Sequence, residues 1–289
     1  NTPFNAAGPY SPKPEDYPRY MANNPENPRG IHAVKVLQDK SEFTIDSLIE
    51  AAYDPVLTAF EDLIPPLLLT TAIDDISESA SATAVETLEY IDLLRGWDYK
   101  FSITSVETSL AVYWAQQLMD NVRDAANTAE IDIYEYMANN TSADQKLAAL
   151  RSAAQTLEAD FGSWQVPWGE INRYQRLNGD IVQAFDDSAP SIPVGFGSAR
   201  WGSLASFGSR TYPGTKRMYG TSGNSFVAVV EFGDTVKAKA ITVGGLDSDP
   251  SNPHFDDQAE MYANGEFRDV LFYRDDIQSN LEREYSPGQ

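Results

Sequence analysis

The sequence predicts an α+β chain in which a helical region precedes antiparallel strands, and three observations carry that prediction. Between Ile31 and about Phe161 apolar residues recur at helical spacing behind three capping boxes. From Ser225 to Val243 two alternating apolar runs flank the turn pair Gly233-Asp234. Between them, after Gly162, the composition shifts toward Gly and Ser. Three regions follow: an irregular segment over 1–30, a helical region over 31–163 and a β-rich region over 164–289.

The first thirty residues carry neither helical nor strand periodicity. Pro3, Pro9, Pro12, Pro14, Pro18, Pro25 and Pro28 argue against an ordered helix or central strand. Phe4, Tyr10, Tyr17 and Tyr20 favour a segment pinned on a surface over a free tail. Ile31, Val34 and Leu37 then share a helical face. Asp54 followed by Pro55 reads as an N-cap with proline at the first helical position, and Pro65-Pro66 reads as the end of that helix. Thr83 with Glu86 forms a capping box ahead of the stripe Val85, Leu88, Ile91 and Leu94, with Gly96 as a left-handed stop. Thr104 with Glu107 forms a second, ahead of Val106, Leu110, Tyr113, Trp114 and Leu118. Ser142 with Gln145 forms a third, ahead of Leu147, Leu150, Ala154, Leu157 and Phe161, with Gly162 as terminator.

Between Ser188 and Val230 there is no acidic residue, while Arg200, Arg210, Lys216 and Arg217 stand among many Gly and Ser. Such a stretch can bind an anion or, more ordinarily, pair with the acidic remainder of the chain. Ser225–Phe232 and Thr235–Val243 read as two strands. In the first, Val227, Val229 and Glu231 alternate with Phe226, Ala228, Val230 and Phe232, as a sheet with one deeply buried face requires.

Composition excludes several functions. The chain has 289 residues and a net charge of −22, from 43 acidic against 21 basic residues. A field of that sign repels phosphate backbones, so nucleic acid is not an expected partner. Cysteine is absent, which removes disulfides, thiolate nucleophiles and thiolate metal sites. With only His32 and His254, a multi-histidine metal centre is excluded as well. The longest apolar run, Leu63–Leu69, is short and broken by Pro65 and Pro66, so no membrane helix is expected, and no basic-then-apolar leader opens the chain.

No local motif amounts to an active site. There is no GxSxG elbow, phosphate loop, HExxH or GxGxxG following a strand. Asp247-Ser248-Asp249 begins like a calcium loop, but Asn252 replaces the glycine needed at the sixth position and Gln258 the glutamate at the twelfth. His254 lies beside Asp256 and Asp257 and could act as a base; tying down a loop is the commoner role for such a residue.

Five ordered segments nevertheless resemble one family. Asn1-Thr2-Pro3-Phe4-Asn5-Ala6 resembles an N-x-[ST]-P-[FW] segment. Leu93-Leu94-Arg95-Gly96-Trp97-Asp98, with Ser105-Val106 and Leu110–Trp114 after it, resembles the helical region of the penicillin acylase family. Pro167-Trp168-Gly169-Glu170-Ile171-Asn172-Arg173 is similar to its WGE-type element, and Tyr219–Phe226 to the lead into its late strands. Gly244–Gln258 looks like its GGQSgDPxSPHYxDQ run, with Leu246 where the family has glutamine.

The resemblance implies the C-terminal half of the β-chain of an N-terminal-nucleophile amidohydrolase, part of an αββα sandwich. Family members are cleaved from one precursor into α- and β-chains. The exposed N-terminal serine of β attacks a linear amide, its own α-amine acting as base. The amide of Asn1 cannot be that nucleophile, so the serine is expected in polypeptide outside this chain. The implied partners are the remaining acylase polypeptide and a small N-acyl substrate: a β-lactam side chain, an acyl-homoserine lactone or similar. Asn1 corresponds to the oxyanion asparagine or its immediate neighbour, and Arg29, in Pro28-Arg29-Gly30-Ile31, to the arginine that orients it. No cofactor is required. Some members hold a structural calcium ion with one aspartate from the proline-rich segment, which here is Asp16. Export to the periplasm or beyond is common in the family. A non-catalytic binding or scaffold domain with an acylase-like body is the competing expectation.

Overall fold

The computed structural model describes residues 8–13, 16–21, 26–70, 82–286 and 288. The chain folds in the expected order, helices first and strands after. The helical region comprises α1 (Pro28–Leu37), α2 (Ile45–Ala52), α3 (Ala59–Leu69), α4 (Ala82–Arg95), α5 (Val106–Ala129), α6 (Ile133–Asn139) and α7 (Ala143–Phe161). After a short α8 (Trp168–Ile171) come β1 (Asn172–Tyr174), β2 (Ile192–Pro193), β3 (Phe207–Arg210), β4 (Met218–Gly223), β5 (Phe226–Glu231) and β6 (Lys237–Thr242). Helix α9 (Ala259–Asn264), β7 (Arg268–Asp269) and α10 (Arg274–Ser279) follow.

Helices α5 and α7 pack along their lengths, because each carries a continuous stripe. Leu110, Trp114 and Leu118 on α5 and Leu150, Ala154 and Leu157 on α7 are fully buried. Trp114 also donates its indole N–H to the Lys146 carbonyl at 3.1 Å, so the largest core side chain leaves no orphan donor. The Ser142–Gln145 box closes reciprocally, and Gly162 ends α7 with φ +79.

Other local expectations shift. The second cap is Ser105, whose hydroxyl accepts from the Thr108 amide; Thr104 stands one residue outside the helix start. The Thr83 side chain lies outside the described residues. Gly96 does not take a left-handed stop; the positive φ after α4 belongs to Tyr99, at +62. On α4 the buried face is Thr87, Tyr90, Ile91 and Leu94, while Val85 and Leu88 are exposed. Asp54 does not cap a helix. Its carboxylate closes a turn onto the Val56 amide, and Val56 bridges Lys100 instead of starting α3. Nor do Pro65 and Pro66 end a helix, since α3 runs through both. Each proline removes one backbone bond, at about 3 kcal/mol or more in a helix interior. Pro65 is exposed, while Phe60, Leu63, Ile64 and Leu67 on the other side are fully buried. Four such side chains at roughly 1.5–3 kcal/mol each offset the loss.

The strands form two sheets: a four-stranded one in the order β2-β1-β4-β3, and a three-stranded one in the order β5-β6-β7. Pairing is antiparallel except for β1 and β4, which run parallel, so the β-rich region is mixed and not purely antiparallel. The predicted hairpin forms, with Val227 opposite Ile241 and Val229 opposite Lys239. Its inner face is Val227, Val229 and Ile241. The all-apolar set Phe226, Ala228, Val230 and Phe232 is on the exposed side of β5. A second core gathers Tyr174, Val194, Phe196, Phe207, Ile241 and Tyr262, and Phe101 packs against both cores. Among the described residues no helix is long and apolar enough to cross a membrane.

Candidate active-site face

Arg29 sits in the first turn of α1, and the sequence around it explains why. Asn27 caps the helix by accepting from the Gly30 amide, and Pro28 takes the first helical position, where its missing N–H costs nothing. Thr58 then donates to the Pro28 carbonyl at 2.7 Å and anchors this turn to the start of α3. The Arg29 side chain crosses to residues 175 or more positions away. Its Nε and Nη2 both donate to the Leu204 carbonyl, at 3.1 and 2.9 Å. Nη2 also lies 3.5 Å from Oδ1 of Asn224. Among the described residues Nη1 makes no hydrogen bond, so two fixed N–H donors remain free.

The receiving loop is itself tightly built. Asn224 Oδ1 accepts from the Ser206 amide at 3.0 Å while the Asn224 amide donates to the Ser206 carbonyl at 2.9 Å. Gly223 (φ +131) permits this approach; a Cβ there would lie 2.0 Å from the Ser206 carbonyl oxygen. Ser203, fully buried, donates to the Ala205 carbonyl and accepts from the Gly197 amide. Beside Arg29 opens a largely apolar cavity of about 220 Å³, lined by Val36, Leu48, Ala52, Tyr53, Leu204 and Val227. Burial pushes the Tyr53 phenol up to about 12, so it stays neutral at physiological pH.

The other expected residues fare differently. Asn1 lies outside the described residues. Asp16 is described and exposed. A hard cation such as calcium needs six to eight oxygen ligands, and no group of three acidic or histidine side chains gathers among the described residues. His254 ties a loop: Nδ1 meets Asp257 at 2.8 Å and Nε2 meets Glu282 at 3.6 Å. The Asp257 hydrogen bond raises its pKa above the ordinary value. A raised histidine stabilises the loop below its unfolded-state pKa, and that contribution is lost as pH rises through the folded value.

The cationic stretch pairs mainly within the chain. Arg217 reaches Glu170 and the Asp187 carbonyl, Lys216 the Asp160 carbonyl, and Arg200 the side chain of Gln116. Arg210 stacks on Tyr212 at 4.8 Å.

Sequence reasoning missed three residues. His32 and Asn224 adjoin Arg29's loop, and Arg176 grips the Gly244–Gln258 run by donating to the Asp247 and Phe255 carbonyls while lying 4.1 Å over the Phe255 ring. Asn224 lies within the family-like Tyr219–Phe226 segment, but nothing there singles it out, and no sequence signal marks His32 or Arg176, whose carbonyl acceptors lie 71 or more residues away. The quoted motifs themselves are mostly joinery. Asn172 is fully buried, donating to the Val194 and Phe196 carbonyls and accepting from Ser209. A Cβ on Gly220 would enter the Phe207 ring at 2.0 Å, and one on Gly245 would sit 2.1 Å from the His254 carbonyl oxygen.

Two comparisons bear on identity. Among solved structures, the chain is similar to a thermostable penicillin G acylase from Alcaligenes faecalis at 12% identity. That alignment covers 89% of this chain and 52% of the acylase chain, with a TM-score of 0.47, so the chain spans about half the length of that relative. The family model described as penicillin amidase matches residues 4–279, from the start of the proline-rich segment through Arg29 and on to the end of α10. The chain belongs to the penicillin amidase family.

Proposed function

We propose that this chain is the C-terminal part of the β-chain of an amide hydrolase whose serine nucleophile lies in polypeptide outside it. The substrate is a linear amide of an N-acylated small molecule: a β-lactam side chain, an acyl-homoserine lactone or a similar compound. The serine hydroxyl adds to the carbonyl, the serine's own α-amine takes the proton, and the acyl group passes from the leaving amine to the serine before water releases it. Asn1 donates its amide N–H to the developing oxyanion, and Arg29 orients that asparagine and the reacting serine. The remaining acylase polypeptide is the partner, and the complex works in the periplasm or outside the cell.

The observation that carries this reading is the state of Arg29. One edge of its guanidinium is held on the Leu204 carbonyl, and among the described residues Nη1 makes no hydrogen bond beside an apolar cavity. A permanently charged group immobilised on one side and open on the other suits orientation of groups brought by a partner segment. The outward apolar face of the hairpin supports completion by further polypeptide, since Phe226 and Phe232 are 60% and 85% exposed.

The test uses the full-length protein. Arg29→Ala is expected to lower kcat by about 10²-fold or more in a protein that still folds, its unfolding midpoint lowered by loss of the Leu204 bonds, and unchanged turnover would remove Arg29 from the site. Intact-mass analysis of the native protein should find a serine-headed chain that contains this sequence.

A further inference from the structure

His32 is the second basic side chain near the start of α1, one turn beyond Arg29, and the reading above gives it no role. It is 2% exposed. Its Nδ1 lies 2.8 Å from the Gly202 carbonyl oxygen and its Nε2 3.0 Å from Oδ1 of Asp54. A carbonyl oxygen can only accept. The Nδ1 contact therefore carries a proton on that nitrogen, and Nε2 faces the Asp54 carboxyl, so both ring nitrogens of a buried side chain are tied to elements outside α1.

The same loop receives both basic side chains. His32 takes the carbonyl of Gly202, and Arg29 takes that of Leu204 two residues on. Gly202 is suited to this approach. It has φ +103, and a Cβ would lie 2.3 Å from the Thr58 hydroxyl that anchors Pro28. The other charged groups around the ring line a cleft of about 540 Å³: Lys35, Asp39 and Lys40 from α1 and its exit, Glu50 from α2, and Glu61 from α3. Lys35 is paired with Glu61, and Lys40 lies over the Phe43 ring. Asp54 is the acid in contact with the imidazole.

We propose that His32 is a positioning residue for Arg29: held by Gly202 on one ring nitrogen and Asp54 on the other, it clamps α1 to residues 202–204 and so fixes where the Nη1 edge of Arg29 points. The catalytic consequence rests on the function proposed above; the clamp itself does not. Helix α1 keeps its start without His32, because the Asn27 cap and the Thr58 tie are independent of the ring.

Two measurements on the full-length protein test the clamp. In the ¹⁵N-arginine-labelled protein, with Arg29→Lys assigning the signal, the Arg29 Nε–H should be protected from solvent exchange. His32→Gln should speed that exchange about tenfold or more while the far-ultraviolet circular dichroism stays constant. Exchange unchanged in the variant overturns the clamp. In amide hydrolysis, His32→Gln should lower kcat about tenfold with KM within about twofold. The same substitution in an Arg29→Ala background should leave kcat where Arg29→Ala alone put it. Multiplicative losses would show that His32 acts independently of Arg29 and would overturn the positioning role. A full-length protein without any amide hydrolase activity sinks the proposed function instead, and the exchange measurement then decides the clamp alone.

Discussion

The α5–α7 pair and the β5–β6 hairpin are both built from regular apolar patterns, yet they end in opposite states. Along α5 and α7, Leu110, Trp114, Leu118, Leu150 and Leu157 vanish from solvent, each helix covering the other's stripe. The hairpin buries Val229 and Ile241 against α2 and the second core, but leaves Phe226, Val230 and Phe232 in water. An amphipathic helix has one apolar stripe and needs one neighbour. A strand apolar on both faces needs two, the pattern of a sheet covered on each side. Among the described residues the second face is covered only in part: Ala240, opposite Ala228, is buried, while Phe226, Val230 and Phe232 are exposed. Among the described residues the α5–α7 stripes therefore cover one another, while the outer face of β5 stays largely in solvent.

Four substitutions press on that contrast, from the largest effect to the smallest. Trp114→Ala removes the largest fully buried side chain together with its indole bond to the Lys146 carbonyl, so it should cost about 3–5 kcal/mol in urea unfolding. A loss below about 1 kcal/mol would mean the α5–α7 core collapses around the gap. Gly245→Ala places a Cβ 2.1 Å from backbone at His254 and should cost on the order of 1–3 kcal/mol, with the loop from Gly244 displaced. Chemical shifts confined to Gly245 and its neighbours would show that the loop yields freely. Ser142→Ala loses the cap of α7 and should cost about 1 kcal/mol, read as a shift of the same transition. Phe232→Ser should leave the stability of this chain within about 0.5 kcal/mol, because the ring is already in solvent. A large destabilisation there would mean the hairpin face is covered within this chain, and the contrast would fail.

Legibility followed the same divide. The third capping box and the Gly162 stop were readable because every group involved lies within a few residues of its partner. The second box slipped by one residue, since Thr104 and Ser105 offer the same hydroxyl and only packing of α5 selects between them. Pro65 and Pro66 misled, because propensity is local while the burial of Phe60, Leu63, Ile64 and Leu67 is not. Arg29 was singled out through family resemblance, and no pattern in the residues alone marks it or its contact with the Leu204 carbonyl. His32 stood next to Ile31 but off the predicted apolar face of α1, Ile31, Val34 and Leu37; none of those three is buried, whereas Pro28, Gly30 and His32 are.

Taken by itself, the sequence determined what depends on neighbours along the chain: helices before strands, the hairpin, the caps of α7, and an acidic, cysteine-free composition that rules out thiol chemistry and disfavours nucleic acid. Tertiary structure alone decided which face of the hairpin turns inward, why a helix survives two prolines, and which carbonyls receive Arg29 and His32. The physical reason is one of range. A cap or a turn is settled by atoms a few bonds away, whereas a buried charge must find its acceptors across 170 or more residues, and only the folded chain brings them within 3 Å.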